Sequence, residues 1–222
     1  MPSSSSLPTM PVIAIDGPAA AGKGTLARRL ARSLGLPYLD TGLLYRAVGR
    51  RVLDAGGDPT DPATAEAAAR SLVPSDLDRK DLRGPAADAA SSAVAAVPGV
   101  RAALLAFQRD FAAQRGAVLD GRDIGTAIFP DAPVKLFVTA SPSERARRRW
   151  QELRDRGEDV ELARVEADMQ ARDERDSARS AAPLRAADDA VVLDTTDLSA
   201  DDAYAAALRA VVDRLPALSP QR

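Results

Sequence analysis

Two hydrophobic rhythms alternate along the chain. Val12-Ile13-Ala14-Ile15 and Ala117-Val118-Leu119 are unbroken apolar runs, and Val134-Lys135-Leu136-Phe137-Val138 is nearly so. Runs that leave neither face polar predict strands buried on both sides of a parallel sheet. Leu36-Pro37-Tyr38-Leu39-Asp40 predicts a shorter strand, and Val191-Val192-Leu193 a last one. Elsewhere apolar residues return every three or four positions, the spacing of one helix face. From Lys23 that face is Leu26, Leu30, Ala31 and Leu34, ended by Gly35. From Thr41 it is Leu44, Val48, Val52 and Leu53, ended by Gly56-Gly57. Helical spacing returns over 86–97, breaks at Pro98-Gly99, and resumes with Val100, Leu104, Leu105 and Phe111. Ser141-Pro142-Ser143-Glu144 reads as a capping box at a helix start. Residues 145–179 keep helical spacing but are overwhelmingly charged, and Gly157 divides them into a hairpin. Ser199 predicts the cap of a final helix burying Ala203, Tyr204, Ala207, Leu208, Val211 and Leu215. Residues 58–84 are polar and broken by Pro59, Pro62 and Pro74, which predicts an insert packed loosely on the core. Strands alternating with helices imply a three-layer α/β domain around a central parallel sheet.

Composition narrows the chemistry. The chain has 222 residues, no cysteine and no histidine. Disulfides, thiolate chemistry and cysteine-based metal sites are excluded, and the general base is a carboxylate, a lysine or nothing at all. A net charge of −2 exerts no overall pull on nucleic acid or an anionic membrane, so neither is expected as a partner. The cations are nearly all arginine, the only lysines being Lys23, Lys80 and Lys135. Arginine offers a planar fork suited to phosphate. Residues 1–10 predict a disordered leader, because this start has neither the basic nor the apolar region of a signal peptide; Met10 is an alternative start. No apolar run approaches a membrane span, and the reading is a cytoplasmic protein.

Directly after the first strand comes Gly17-Pro18-Ala19-Ala20-Ala21-Gly22-Lys23-Gly24-Thr25. Two glycines allow the tight turn that aims successive N–H groups at one anion, and the helix N-terminus that follows adds to that field. Lys23 can reach the outer phosphates, and the Thr25 hydroxyl is placed to ligate magnesium. The pattern differs from the strict phosphate-loop form by one inserted glycine, Gly24. The whole stretch from Gly17 to Thr25 is the expected ATP site. A GTPase of the common type reads guanine with an Asn-Lys-x-Asp element, and this chain contains no asparagine. A kinase needs a second group of cations for a second phosphate. Arg46, Arg101, Arg122 and Arg179 supply one, at segment ends that converge on the carboxyl edge of a parallel sheet.

Asp40-Thr41-Gly42-Leu43-Leu44-Tyr45-Arg46 and Asp120-Gly121-Arg122-Asp123-Ile124-Gly125-Thr126 resemble two signatures of bacterial cytidylate kinase. Phe129-Pro130-Asp131-Ala132-Pro133-Val134-Lys135 is similar to that family too, as is Arg172-Asp173-Glu174-Arg175-Asp176-Ser177-Ala178-Arg179. The pieces run in family order from about Val12 to Leu215. The resemblance implies a kinase core over 11–222, with an acceptor-binding insert near 57–98 and a helical lid near 147–178. It implies transfer of the ATP γ-phosphoryl group to CMP or dCMP. Tyr45, Arg46, Arg122 and Arg179 are then expected around the acceptor phosphate, beside Thr41. Ser92, Arg101 and Asp123 are expected to read the cytosine edge, and Arg172 and Asp176 to hold the sugar hydroxyls. Among 145–149 some arginines should contact donor phosphates, Arg148 foremost. Lys23, Arg122, Arg179 and Arg148 form the expected catalytic set, with magnesium on Thr25. Asp120 ends its strand as a magnesium-binding acid would, and orienting an arginine is the other role open to it. Two departures stand out: the insert is shorter than the family's, with Gly84 where threonine is expected, and Ala19-Ala20 replaces Ser-Gly. The rival readings are a UMP- or shikimate-type kinase and a non-catalytic nucleotide-binding protein. No segment leaves an uncovered apolar face, which predicts a monomer.

Overall fold

A computed structural model describes residues 11–179 and 182–218; the expected leader over 1–10 lies outside them. Five parallel strands form one sheet: β1 (Val12–Asp16), β2 (Tyr38–Asp40), β3 (Ala117–Asp120), β4 (Val134–Thr139) and β5 (Val191–Asp194), in the order β2-β3-β1-β4-β5. The first apolar run is therefore the central strand. Ile13 lies between Val118 and Val134, and Ile15 between Asp120 and Leu136. Alternation along β1 divides the core in two. Ile13 and Ile15 pack with Leu26, Leu30, Leu136 and Val211 on one face. Val12 and Ala14 pack with Leu44, Val48, Val100 and Leu104 on the other.

Helix α1 (Lys23–Leu34) buries the expected Leu26, Leu30, Ala31 and Leu34, and Gly35 caps it in the left-handed region at φ 66°. Helix α2 (Thr41–Asp54) buries Leu44, Val48 and Val52. The stretch expected as a loose insert is instead ordered and packed. It holds α3 (Pro62–Arg70) and a 3₁₀ turn (Pro74–Asp78), and leads into α4 (Pro85–Val94). Ala65, Leu82 and Ala90 are buried, and α4 lies so close to α2 that a methyl on Gly49 would meet the Ala90 methyl at 2.8 Å. Two of the prolines that suggested loose packing, Pro62 and Pro74, stand at helix starts, where a missing N–H costs nothing. Charged residues there pair locally, Arg51 with Asp76 and Arg79 with Asp54 and Asp81. Helix α5 (Pro98–Ala113) follows α4 directly.

Helices α6 (Pro142–Asp155) and α7 (Leu162–Ala178) form the expected hairpin, with Gly157 at φ 80° in its turn. They have a small core of their own: Ala146, Leu153, Val165 and Met169, flanked by Trp150 and by Ala19 and Ala20 of the phosphate loop. Only half of the capping box forms. Ser141 Oγ accepts from the Glu144 amide, but the Ser141 amide donates to Thr196 Oγ1 and the Glu144 carboxylate turns to Arg147 and Arg148. Helix α8 (Ala200–Arg214) is capped by Ser199, as expected. It buries Ala203, Ala207 and Val211, while Tyr204, Leu208 and Leu215 are partly buried.

Candidate active site

The loop between β1 and α1 has the geometry of an anion cradle. Gly17 lies at φ 144°, and a Cβ there would come within 1.9 Å of the Val138 carbonyl oxygen. Ala20 and Gly22 also lie at positive φ. Lys23 opens α1, is buried, and donates from Nζ to the Pro18 carbonyl at 2.7 Å across the loop. Burial first, and then the Arg122 guanidinium, push its ammonium down to about 7. At the end of β1, Asp16 accepts from the amides of Ile124 and Gly125, both at 2.7 Å. Those bonds fasten the loop base to the turn after β3. Burial outweighs them and pushes the carboxyl up to about 7.

Asp120 at the end of β3 is buried, and burial pushes its carboxyl up as well. Its carbonyl accepts from Thr41 Oγ1 at 2.8 Å and its carboxylate from Tyr38 Oη at 3.3 Å. One carboxylate oxygen lies 3.1 Å from where a Cβ on Gly24 would be, so this acid reaches the phosphate loop. Thr25, one residue after Gly24, is exposed and lines the same cleft as Asp120. A hydroxyl and a carboxylate are hard oxygen donors, and they fit magnesium, which takes few protein ligands and completes its shell with phosphate and water.

A cleft of about 320 Å³ opens from the loop toward α2, α4 and the hairpin. Thr41, Tyr45 and Arg46 line it from α2, and Ser92 from α4. Arg122 and Asp123 line it from the turn after β3, and Arg172, Asp176 and Arg179 from the end of α7. Arg101 stands behind this wall: its guanidinium is paired with the Asp123 carboxylate and lies 5.9 Å from the Tyr45 ring. Burial raises the Asp123 carboxyl, and Arg101 offsets this only in part.

Five of the cleft's arginines gather on two acids. Asp176, buried, accepts from Arg122 Nε at 3.0 Å and from Arg179 Nη2 at 2.6 Å. Burial pushes its carboxyl up, but these arginines outweigh it and hold it below the usual range. Asp88 on α4 is the second acid, and sequence reasoning missed it. It accepts from Arg46 Nη2 at 2.9 Å and Arg149 Nη2 at 2.6 Å, with Arg172 Nη1 at 3.7 Å. Its one sequence signal was being the sole acid within an alanine- and serine-rich helix. Arg172 is pushed down to about 10, chiefly by burial and then by Arg122, and its Nε is buried without a hydrogen-bond partner.

Arg148 faces a different hollow of about 300 Å³ on the other side of the loop, lined also by Gly22, Thr25, Leu26, Val138 and Leu198. Its guanidinium donates to Thr195 Oγ1 at 3.0 Å and to the Thr195 carbonyl at 2.7 Å. Nη1 lies 4.0 Å from where a Cβ on Gly22 would be, so this cation is beside the loop and outside the larger cleft. Thr195, in the loop after β5, was not singled out from sequence; no motif marks it.

The sequence matches the cytidylate kinase family over residues 13–213. A cytidylate kinase of Granulibacter bethesdensis is 66% identical over 205 residues, 92% of this chain and 98% of that protein. One from Acidiphilium cryptum is 63% identical over 88% of this chain and 92% of its own length. One from Paramagnetospirillum magneticum is 63% identical over 89% and 95%. An uncharacterized protein of Eubacterium ventriosum with a crystal structure superposes with a TM-score of 0.54 over 92% of this chain and 100% of that one, at 16% identity. That similarity concerns the fold.

Proposed function

This chain belongs to the cytidylate kinase family, and we propose from that premise that it transfers the γ-phosphoryl group of ATP to CMP or dCMP, giving ADP and CDP or dCDP. The observation that carries the reading is one cleft with a phosphate cradle at one end and an arginine cluster at the other. Donor and acceptor phosphates entering from the two ends meet between Lys23 and Arg122.

ATP binds with its phosphates in the loop 17–25, from Gly17, Pro18, Ala19, Ala20 and Ala21 through Gly22, Lys23, Gly24 and Thr25, and with its base in the hollow beside Arg148. Main-chain amides make the cradle, so the small side chains Ala19 and Ala20 are compatible with it. Thr25, with Asp120 near, would hold magnesium, which would supply positive charge against the developing phosphate charge. Arg46, Arg122 and Arg179 receive the acceptor phosphate, with Thr41 and Tyr45 shaping the floor. Ser92 and Asp123 read the cytosine edge: a carboxylate accepts from the 4-amino group of cytosine, whereas uracil would present an acceptor to it. Arg101 fixes Asp123 and reaches the ring only if that pair opens. Arg172 and Asp176 hold the sugar. Phosphoryl transfer through a loose transition state needs positioning and cations more than a base, which suits a chain without histidine. Closure of α6 and α7 excludes water, so the phosphoryl group passes to CMP.

We place the enzyme in the cytoplasm, where ATP and CMP are met, and as a monomer without nucleic-acid or membrane partners. Among the described residues the exposed large apolar side chains, Val73, Leu162 and Val192, are scattered over separate elements, which supports the monomer. The test is magnesium-dependent ADP release with CMP, dCMP, UMP, AMP and shikimate offered separately. Stimulation by CMP and dCMP, with UMP weak, is the expected outcome. Stimulation by another acceptor alone would overturn the base-reading residues.

A further inference from the structure

Asp88 collects cations from three other helices at one carboxylate. Arg46 comes from α2, Arg149 from α6 and Arg172 from α7, while Asp88 itself is on α4. All four side chains are largely buried, with exposures of 16–19%. The two lid helices are thereby tied to the acceptor-side helix by charge. Elsewhere the hairpin rests on α4 only lightly, its own apolar core facing Ala19 and Ala20 of the phosphate loop. Three guanidiniums this close repel one another, and one carboxylate cannot neutralise them. Arg149 has a second partner in Glu152, at the more exposed rim, and the group keeps an excess of positive charge. An incoming phosphate would be drawn to that excess. The carboxylate also resembles a phosphate in what it offers, acceptor oxygens to guanidinium forks. Burial pushes the Asp88 carboxyl up, but Arg46, Arg172 and Arg149 together hold it below the usual range, so it is charged throughout the physiological span.

We propose that Asp88 is a latch: an internal carboxylate that stands in for the acceptor phosphate before substrate arrives, keeps Arg46, Arg149 and Arg172 converged, and then yields Arg46 and Arg149 to the incoming phosphate and Arg172 to the sugar. The latch rests on the reading of this cleft as the acceptor site. It makes Asp88 a positioning residue that both preorganises the arginines and competes with the ligand for them. The lid is drawn toward α4 by this carboxylate, and phosphate binding exchanges one anion for another on Arg46 and Arg149.

The test is Asp88→Asn, which keeps shape and removes charge. Amide hydrogen exchange is followed in α6 and α7 of the empty full-length enzyme, then titrated with inorganic phosphate. Exchange across these helices is expected to quicken by about tenfold in the variant, the scale of a lost charged hydrogen bond. Inorganic phosphate is expected to slow it again at a several-fold lower concentration than wild type needs, because no resident anion must be displaced. Unchanged lid exchange would overturn the latch. So would a variant that needs more phosphate than wild type, since Asp88 would then support bound phosphate instead of competing with it. If Asp88→Asn does not fold, Arg149→Gln removes the lid end of the latch and must quicken the same exchange; wild-type exchange in that variant overturns the proposal. ADP release by wild type with CMP tests the cleft assignment separately, and its failure leaves the exchange results to be read on their own.

Discussion

Around the phosphate loop, charged side chains are held by main chain: Lys23 by the Pro18 carbonyl, Asp16 by the Ile124 and Gly125 amides. Across the cleft they are held by one another, Arg122 and Arg179 on Asp176, and Arg46 and Arg149 on Asp88. The main-chain arrangement is rigid: its bonds call on no side chain at positions 19 and 20, which is why a loop reading Ala19-Ala20 keeps its shape, while Gly17 leaves room for none. The paired arrangement spans separate helices, and under the proposed latch an incoming anion takes over a partner without rebuilding any backbone. On that reading one end of the cleft is preformed and the other exchangeable.

The largest break in this contrast is Lys23→Ala, which removes the cation that main chain holds in place. kcat is expected to fall by ~10³ or more in steady-state assays, the scale of lost transition-state cations in phosphoryl transfer. Near-normal turnover would sink the mechanism. Gly17→Ala tests the rigidity itself: its methyl would overlap the Val138 carbonyl at a positive φ. A loss of about 3 kcal/mol in denaturant unfolding is expected from strain and overpacking together. On the exchangeable side, Asp123→Asn is expected to reduce the preference for CMP over UMP by about tenfold, read from kcat/KM ratios. Unchanged selectivity would move base reading to another residue.

The smallest effect concerns protons. The Lys23 ammonium is pushed down to about 7 in the empty loop. Phosphates restore its charge, so the complex binds more protons than the free enzyme and affinity falls as pH rises through 7. ATP binding should weaken by about fivefold between pH 7 and pH 8, with proton uptake at pH 8 seen by calorimetry in buffers of different ionisation enthalpy. Lys23→Met should remove that uptake.

Much of this was legible beforehand, for reasons that differ by region. The apolar runs of β1, β3 and β4 announced buried parallel strands because neither face meets water. The loop 17–25 announced itself because glycine and lysine there answer to one ligand. The compactness of 58–84 was hidden: its burial rests on alanines such as Ala65 and Ala69, too small to mark a helical stripe. Asp88 was hidden for another reason. Its partners come from three helices, two of them distant in sequence, and a lone acid on an alanine-rich helix carries no spacing signal. The family resemblance points to Arg148 as a catalytic cation, but its position beside Gly22, facing Thr195, emerges only once β5 has brought that loop alongside.

The place of β1 at the centre of the sheet also governs when a newly made chain can first grip a nucleotide. Ile13 leaves the ribosome early, but its neighbours Val118 and Val134 are made roughly a hundred residues later. The carbonyl that crowds Gly17 belongs to Val138, at the end of the later of those strands. Pairings of such long range form slowly and late. A nascent chain halted before β4 would carry the whole of 17–25 and still lack the walls that shape it, so ATP could not rescue a stalled product.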